Sequence, residues 1–318
     1  MELRQRTSSA SEQSRNRIHA VIAGASRVVL GKTTEIRLAL TCLLARGHLL
    51  IEDMPGVGKT TLAHLLARLL GLDFQRIQFT SDLLPADVTG VYVYHRESGE
   101  FRFHAGPIFT HVVLADEINR ATPRAQSALL EAMEERQVTV ENHTHVLPHP
   151  FFVIATQNPL EQIGTFPLPE SQLDRFLMCI SLGYPDRQAE RALLTGADRR
   201  TLLDDQKPVL DAAALLALQA QVEDVHVSDA LLDYVQNLID HSRSSPVYQA
   251  GLSPRAGLAL LRAARAWALV DGRGHVLPDD VQAVLPAVAG HRLLTTPGER
   301  AQSADAIARH LLDAVPIP

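Results

Sequence analysis

A short glycine-rich segment with one lysine and two hydroxyl residues carries the clearest chemical signal in this sequence. It reads GVGKTT, and it lies between an apolar run and an apolar helical pattern. A phosphate chain is bound by closely approaching backbone N–H groups, by a cation, and by a helix whose amino end faces the anion, while a hydroxyl helps to hold Mg²⁺. The segment therefore predicts a site for ATP with Mg²⁺, in which Thr60 contacts the metal. Its predicted binding residues are Gly56, Val57, Gly58, Lys59, Thr60 and Thr61.

The loop departs from the usual phosphate-binding pattern, G-x-x-x-x-G-K-[ST], at its first position, where this sequence has Asp53. Asp tolerates a left-handed backbone better than most residues, so we expect the loop geometry to survive the replacement. The other interpretation is a glycine-rich turn beside an incidental lysine. The predicted strand before the loop and the predicted helix after it favour the phosphate site.

Two adjacent carboxylates, Asp116 and Glu117, follow the apolar strand pattern that begins at Val112. Consecutive residues of a strand point in opposite directions, so the two acids can do different jobs. Asp116 can hold Mg²⁺, usually through the waters of the ion, and Glu117 can act as the general base that polarises an attacking water. The other interpretation is a strand that ends in solvent. The phosphate loop upstream favours the metal and base roles.

Three further polar residues are candidates, and each has a second interpretation. Asn158 follows another apolar run and could orient the hydrolytic water, or it could belong to an Asn-Pro turn. Arg255 falls in the first turn of a predicted helix, where the interaction of a cation with the helix dipole is unfavourable by about 0.3–1 kcal/mol. That position indicates a nearby anion, either a γ-phosphate or a carboxylate. Arg175 could reach a phosphate across a subunit boundary or form a surface ion pair.

The elements that must position these residues alternate between strands and helices. Four apolar runs predict buried strands: HLLIED at 48–53, FQRIQFT at 74–80, HVVLADE at 111–117 and FFVIATQNP at 151–159. Helical patterns cover Thr34 to Arg46, the stretch TTLAHLLARLL that Gly71 ends, and a segment with Thr122 as N-cap and Pro123 as its first residue. This alternation predicts an α/β domain with a largely parallel sheet.

Near Pro185 the pattern changes to helical segments rich in Ala and Leu, with no convincing strand up to the last residue. At ~150 residues per domain, 318 residues suggest about two domains. We predict a disordered tail over 1–16, an α/β core over 17–185 and an all-helical domain over 186–318. The tail lacks the apolar region of a signal peptide.

The composition argues against several classes of protein. Hydrophobic residues make up 46% of the chain, which is too apolar for a disordered protein, and no apolar run approaches the ~20 residues that span a bilayer. The net charge of −6 argues against nonspecific binding to nucleic acid. Two lone cysteines, Cys42 and Cys179, suggest a reducing compartment, so we expect a cytoplasmic protein.

Four motifs, in this order and spacing, resemble the MoxR family of AAA+ ATPases. They are EDMPGVGKTTLA, LADEINRATPRAQSALLEAMEERQVT, IATQNPLEQIGTFPLPESQLDRF and GLSPRA. The resemblance begins near Val29, includes Asp53, and departs at Lys32, where such proteins often have Gln. It implies an AAA+ P-loop αβα sandwich with a parallel sheet, followed by a smaller all-helical lid that closes over the nucleotide.

The resemblance also implies a role for each candidate residue. In order, it assigns Walker A to Gly56, Gly58, Lys59 and Thr60, Walker B to Asp116 and Glu117, sensor 1 to Asn158, an arginine finger to Arg175, and sensor 2 to Arg255. The finger would act on the ATP of a neighbouring subunit. The family pattern implies a homo-oligomeric ring, usually a hexamer, with one ATP at each subunit boundary.

MoxR-like proteins are similar to chaperones that mature or activate partner complexes, and the partner often contains a von Willebrand factor A domain. One alternative is the motor subunit of a magnesium-chelatase-like complex. A second is a DNA-linked helicase or transcription activator, against which the acidic charge and the lack of a GAFTGA-type loop argue. A third is a scaffold that binds ATP without turnover, and the presence of both Asp116 and Glu117 argues against it.

Two inserts predict β-hairpins. The first, VYVYHRESGEFRFHA at 91–105, alternates aromatic residues around Ser98-Gly99, and if Tyr94 is opposite Phe103 its four aromatic residues share one face. That face could contact a substrate at the pore of a ring, or it could pack on its own domain. The second insert, QVTVENHTHVLPHP at 137–150, holds three histidines, but neither a cysteine nor an acid completes a convincing metal site.

Overall fold

A parallel sheet forms the centre of the molecule in the computed structural model, which describes residues 2–159, 164–196, 198–294 and 303–317. Five strands form this sheet in the order β2-β5-β8-β1-β9, and every neighbouring pair in it is parallel. The other four strands form two antiparallel hairpins, β3–β4 and β6–β7. The strands within the described ranges are β1 (Leu49–Glu52), β2 (Phe74–Gln78), β3 (Gly90–His95), β4 (Glu100–Ala105), β5 (Val112–Asp116), β6 (Gln137–Val140), β7 (His143–Val146), β8 (Phe152–Gln157) and β9 (Met178–Ile180).

The four predicted buried strands are confirmed as β1, β2, β5 and β8. The fifth, β9, was not predicted, because it has only three residues and lies within a continuous apolar run, FLMCI, that carries no strand period. Alternate residues of the strands enter two separate hydrophobic clusters: Leu49 and Leu114 belong to one, and Leu50 and Val113 to the other. The sheet is therefore covered on both faces, as a parallel sheet requires.

Helices form the two outer layers and most of the chain after β9. The first cluster includes residues of α1, α2 and α3, and the second includes residues of α4 and α5, which gives the predicted αβα sandwich. The helices of the described ranges are α1 (Glu2–Val28), α2 (Thr33–Leu44), α3 (Lys59–Leu69), α4 (Pro85–Thr89), α5 (Pro123–Glu135), α6 (Glu170–Leu173), α7 (Arg187–Thr195), α8 (Arg199–Asp204), α9 (Ala212–Asp224), α10 (Asp229–Ser244), α11 (Pro254–Val270), α12 (Pro278–Ala289) and α13 (Ala304–Ala314), with a 3-10 helix at Ile118–Arg120.

The segment after Pro185 is helical, as predicted, and an isolated bridge between His226 and His275 is its one β-type pairing within the described ranges. Residues of α9 to α13 belong to the same hydrophobic cluster as the sheet residues Leu49 and Leu114. Because the packing is continuous, it marks no border between a core and a lid. The limits 17–185 and 186–318 therefore stay a prediction.

The amino-terminal segment differs from its prediction. Residues 1–16 were expected to be a disordered tail, whereas α1 begins at Glu2 and runs to Val28. The sequence holds neither proline nor glycine before Gly24, so nothing in this stretch interrupts a helix. Ile18, Val21 and Ala25 are buried against the first cluster and fix the later turns of α1.

The first hairpin has the predicted aromatic face but a different register. Tyr94 lies opposite Phe101 and Tyr92 opposite Phe103, so the assumed pairing of Tyr94 with Phe103 was wrong. The cause is the turn: it contains four residues, 96–99, with Gly99 at φ +69°, and not only Ser98-Gly99. The inner pair packs on the second hairpin, where the His145 ring stacks on Phe103 at 3.9 Å between centroids.

The outer pair of this aromatic face stays uncovered. Tyr94 is 52% exposed and Phe101 is 67% exposed, whereas Tyr92 contacts His143 and His145 of the second hairpin. Half of the face thus packs on its own chain and half is open.

None of the helices in the described ranges is long and apolar enough to cross a lipid bilayer.

Candidate active site

The glycine-rich loop joins β1 to α3 and leaves a hollow at the amino end of that helix. Gly56 and Gly58 have φ values of +87° and +99°, and a Cβ at either position would meet no atom within 4 Å. These glycines are thus required by their left-handed backbone and not by crowding. Because α3 begins at Lys59, its first N–H groups point toward the open side of the loop, where an anion is favoured.

Lys59 lies between the loop and the acids at the end of β5. Its Nζ donates hydrogen bonds to the carbonyl oxygens of Asp53 and Met54. Partial burial lowers the pKa of Lys59, and the carboxylates of Asp53, Asp116 and Glu117 oppose this shift. The ammonium is therefore held within electrostatic range of all three acids.

Asp53 preserves the loop for a reason that the sequence did not show. It is not among the residues with positive φ, so the expected left-handed tolerance is not what it provides. Its carboxylate accepts hydrogen bonds from its neighbour Met54 N at 2.8 Å, from Ser181 Oγ at 3.0 Å and from Gly183 N at 2.6 Å. Asp53 thereby ties the start of the loop to the segment that follows β9.

Asp116 is the last residue of β5 and is only 7% exposed. Its Oδ1 accepts a hydrogen bond from Thr156 Oγ1 at 2.6 Å. Its Oδ2 accepts two from Arg76, from Nε at 3.0 Å and from Nη2 at 2.6 Å. A buried carboxylate with this many donors is held in one orientation.

Glu117 turns away from the strand that carries Asp116. Its backbone is left-handed, with φ 58° and ψ 49°, a conformation that costs a residue other than glycine about 1–3 kcal/mol and that recurs at functional sites. Its carboxylate accepts hydrogen bonds from Gln78 Nε2 at 2.9 Å and pairs with Arg120 at 3.2 Å. The two acids thus face different surroundings, as their adjacent positions predicted.

Thr156 connects the two acids and was missed in the sequence. Its hydroxyl donates to Asp116 Oδ1 and accepts from Glu117 N at 2.9 Å, and the residue is fully buried. The available signal was a single hydroxyl residue inside the apolar run FFVIAT. Since β8 pairs with β5, this hydroxyl reaches both acids from the neighbouring strand.

Asn158 follows the end of β8, the strand that lies between β5 and β1. The carboxyl ends of these three parallel strands meet at one edge of the sheet. Asn158 is half-buried there, between the phosphate loop that leaves β1 and the two acids at the end of β5. Residues 160–163 of the motif that contains it lie outside the described residues.

Arg175 and Arg255 are brought together, but away from the phosphate loop of their own chain. Both contact Glu134: Arg175 Nη2 is 3.0 Å from Oε2, and Arg255 Nη2 is 3.3 Å from Oε1. They line a cavity with Gly47 and His48, which precede β1, whereas the phosphate loop follows β1. Four residues of strand separate these edges by about 13 Å.

The predicted N-cap at Thr122 is confirmed, because its hydroxyl accepts a backbone N–H group. Ser253 caps α11 in the same way, which puts Arg255 in the first turn of that helix, as predicted. Of the two anions that the sequence allowed beside Arg255, the carboxylate is the one present in the chain. Arg175 likewise has a carboxylate partner.

Arg292 fixes the segment that carries Arg175 and was also missed. Its side chain is 6% exposed, and its guanidinium donates to Asp174 Oδ1 at 2.6 Å and to the carbonyl oxygens of Phe176 and Leu177. Burial lowers the pKa of Arg292, and the Asp174 carboxylate opposes the shift. Arg292, three residues after the end of α12, therefore holds the loop between α6 and β9.

A second cavity, of about 430 Å³, lies beside the phosphate loop. Its walls include Gly56, Val57, Gly58 and Thr61 of the loop and helix. The remaining wall comes from the end of α1 and the residues after it, and from the segment around α7. It is largely apolar, with Val28, Val29, Leu30, Tyr184, Pro185, Leu193 and Leu194, and includes the polar residues Lys32, Glu190 and Arg199. A cavity of this size and lining next to a phosphate loop suits the base and ribose of a nucleotide.

Two parts of the chain match known sequence families. Residues 48–178 match the ATPase family associated with various cellular activities (AAA), and residues 240–311 match an AAA lid domain. The first match spans the strands from β1 to β8 that position the site and ends at the start of β9. The second covers the end of α10, all of α11 and α12, and most of α13.

Several named proteins are similar over nearly the whole chain. YeaC of Bacillus subtilis is 46% identical, with 92% of each chain covered. Chaperone MoxR1 of Mycobacterium tuberculosis is 40% identical over 92% of this chain and 80% of its own length. Protein MoxR of Paracoccus denitrificans is 35% identical over 93% of this chain and 95% of its own length.

The fold as a whole has a counterpart among solved structures. A crystal structure from Cytophaga hutchinsonii, described as a candidate ATPase, superposes with a TM-score of 0.89 at 35% identity. The alignment covers all of this chain and 99% of that one. The likeness therefore includes both the sheet and the helices after it.

Replacing Thr156 by Val tests the hydroxyl that joins the two acids. The variant keeps the shape of the side chain but leaves Asp116 Oδ1 and Glu117 N without their buried partner, so we expect the free energy of unfolding to fall by about 1–3 kcal/mol. Chemical denaturation measures it. The control Thr156→Ser keeps the hydroxyl and should lose less; a Val variant as stable as the wild type would contradict the bridging role.

Proposed function

The chain belongs to the MoxR family of AAA+ ATPases, and from this premise we propose that it hydrolyses ATP with Mg²⁺ and acts as a chaperone that remodels, matures or activates partner protein complexes. The observation that carries the enzymatic part is the meeting of Lys59, Asp116, Glu117 and Asn158 at one edge of the sheet. The chaperone part is supported by the likeness to the protein named Chaperone MoxR1.

The residues at this edge fit a nucleotide and its metal. The open side of Gly56 and Gly58 leaves room for phosphates, the N–H groups from Gly56 to Thr61 can donate to them, and Lys59 supplies the cation. Thr60 and Asp116 offer the oxygen ligands that Mg²⁺ prefers. When bound, Mg²⁺ would neutralise charge that develops on the phosphate oxygens.

Glu117 and Asn158 would act on the attacking water. Glu117 is the more exposed of the two acids, and its carboxylate is held by Gln78 and Arg120 at the surface of the site. A carboxylate there can accept the proton of a water that attacks the γ-phosphate. The Asn158 amide, one strand away, can hold that water in line.

Arg175 and Arg255 would complete the site of a neighbouring subunit. They lie at the opposite edge of the sheet from their own phosphate loop, so one chain cannot bring them to its own ATP without a large rearrangement. Glu134 balances only one of the two positive charges. A head-to-tail ring, which we propose to be a hexamer, would put the excess charge beside the γ-phosphate of the next subunit.

The client would be a protein, and the family pattern points to one that contains a von Willebrand factor A domain. The uncovered aromatic pair, Tyr94 and Phe101, offers a contact surface for it. We propose a cytoplasmic location, an α/β core over 17–185, and a lid over 186–318 that closes on the nucleotide, since Tyr184 and α7 already line the cavity beside the loop.

The proposal is tested by phosphate release from ATP as a function of protein concentration. Because each site needs arginines from a second chain, we expect specific activity to rise with concentration as the ring assembles. The rate should require Mg²⁺ and vanish in EDTA. Turnover that is absent at every concentration, in protein that binds ATP, would contradict the proposed hydrolysis.

Replacing Glu117 by Gln should separate binding from hydrolysis. The amide keeps the shape but cannot take a proton, so we expect ATP affinity to persist and the rate to fall by about 10²–10⁴-fold. Equilibrium binding and steady-state phosphate release measure the two effects. The matched control, Glu131→Gln on the exposed side of α5, should keep the wild-type rate; wild-type turnover in Glu117→Gln would assign the base elsewhere.

Replacing Lys59 by Ala should weaken nucleotide binding itself. The substitution removes the cation of the loop and its charged hydrogen bonds, so we expect the dissociation constant for ATP to rise by about 10–100-fold. Titration with a fluorescent ATP analogue gives the value. The control Lys207→Ala removes an exposed lysine; if both variants bind like the wild type, the phosphate-loop assignment is wrong.

Mixing variants tests whether Arg175 acts on a neighbour. Arg175→Ala alone should lose about 10³-fold in rate, since it lacks the charge that stabilises the transition state. Adding Lys59→Ala subunits should restore part of it, because some boundaries then pair an intact Arg175 with an intact loop. The control partner carries both substitutions and cannot rescue. Equal failure of both mixtures, in rings shown to be mixed, would contradict action across the boundary.

A further inference from the structure

Arg76 occupies one carboxylate oxygen of Asp116, the acid to which the proposed function gives the metal. It lies on β2, whose residues pair with β5 so that Gln78 is opposite Asp116. Its Nε and Nη2 both donate to Asp116 Oδ2, at 3.0 and 2.6 Å. Neither the sequence motifs nor the proposed hydrolysis gives this arginine a role.

The carboxylate of Asp116 has little capacity left for another cation. Oδ1 accepts from Thr156, and each carboxylate oxygen offers about two lone pairs, so the two N–H groups of Arg76 use those of Oδ2. Asp116 is 7% exposed, which leaves it few other approaches. Neither a metal ion nor a water bound to it can use Oδ2 while Arg76 stays in place.

Arg76 is free to leave, unlike the acid that it contacts. Its side chain is 50% exposed, whereas that of Asp116 is 10% exposed. It lies on an edge strand of the sheet, and its remaining hydrogen bond goes to Gln78 Oε1 at 2.7 Å. A half-exposed guanidinium can return to water at little cost, because pairs open to solvent contribute only modestly to stability.

We propose that Arg76 and the metal ion compete for Oδ2 of Asp116, so that Arg76 sets the metal concentration at which the site fills. In metal-free protein, Arg76 neutralises and orders the buried acid. Metal that arrives with the nucleotide displaces the guanidinium toward solvent. Arg76 is thus a positioning residue that acts through Asp116, and the inference rests on the proposed metal role of that acid.

The direction in which metal affinity changes when Arg76 is removed separates competition from a merely structural role. If Arg76 only orders Asp116, its removal leaves the metal ligand misplaced, and metal binding weakens or stays the same. If Arg76 competes, its removal frees Oδ2, and metal binding tightens. By thermodynamic linkage, the factor by which Arg76 weakens metal binding equals the factor by which the metal weakens the contact of Arg76 with Asp116.

The measurement is the affinity for a fluorescent, nonhydrolysable ATP analogue in Mg²⁺ and again in EDTA. The ratio of the two affinities reports the metal alone, and direct effects of a substitution on the nucleotide cancel. We expect Arg76→Gln to raise this ratio by about 10-fold. Arg76→Lys keeps the positive charge but lacks the paired N–H donors of the guanidinium, so it should raise the ratio less. It also serves as a milder variant if Arg76→Gln is unstable.

Arg120→Gln is the matched control, because it removes the same charge from beside Glu117 without touching Asp116. Its ratio should stay within about 2-fold of the wild type; an equal rise in both variants would mean general electrostatics and overturn the competition. In an Asp116→Asn background, Arg76→Gln should have no effect, and a persistent rise would also overturn it.

Asp116→Asn alone separates this inference from the proposed function. It should lower the ratio, which supports the metal role of Asp116 whatever Arg76 does. If the ratio falls in Asp116→Asn but stays or falls in Arg76→Gln, the competition is wrong and the metal role stands. If Asp116→Asn leaves the ratio unchanged, the metal role fails and the competition fails with it.

Discussion

Parallel pairing of β5, β8 and β1 is the constraint on which the site depends. Parallel strands end at the same edge of a sheet, so residues from three distant stretches of sequence arrive together: Asp116 and Glu117, Asn158, and the phosphate loop. The same pairing lets a single hydroxyl, that of Thr156, reach both acids from the next strand. Apolar residues on both faces pack these strands between two layers of helices.

The sequence predicted the parts of the site whose chemistry is local. The phosphate loop carries its own signal, since left-handed glycines, a lysine and a helix start follow one another within a few residues. The acids at the end of β5 are similarly readable, because a buried strand rarely ends in two carboxylates without a reason. The strand and helix pattern around them fixed the α/β class.

The remaining contacts could not be predicted because they join residues that are far apart in the chain. Arg76 and Asp116 are 40 residues apart, and Arg292 and Asp174 are 118 apart. Each of these arginines looks like an ordinary surface residue until the fold shows its partner. Asp53 is an instructive case: a backbone argument gave the right outcome, an intact loop, while the actual cause is a set of hydrogen bonds to Ser181 and Gly183.

The buried Arg292 has a mechanical consequence. Its guanidinium donates to the main-chain carbonyls of Asp174 and Phe176, one on each side of Arg175, so the residues after α12 and the loop between α6 and β9 are joined. A movement of α12 would therefore carry the segment that holds Arg175 with it. In the ring that we propose, Arg175 would act on the ATP of the next subunit, so this attachment would pass a movement of one subunit's α12 to the reaction at its neighbour.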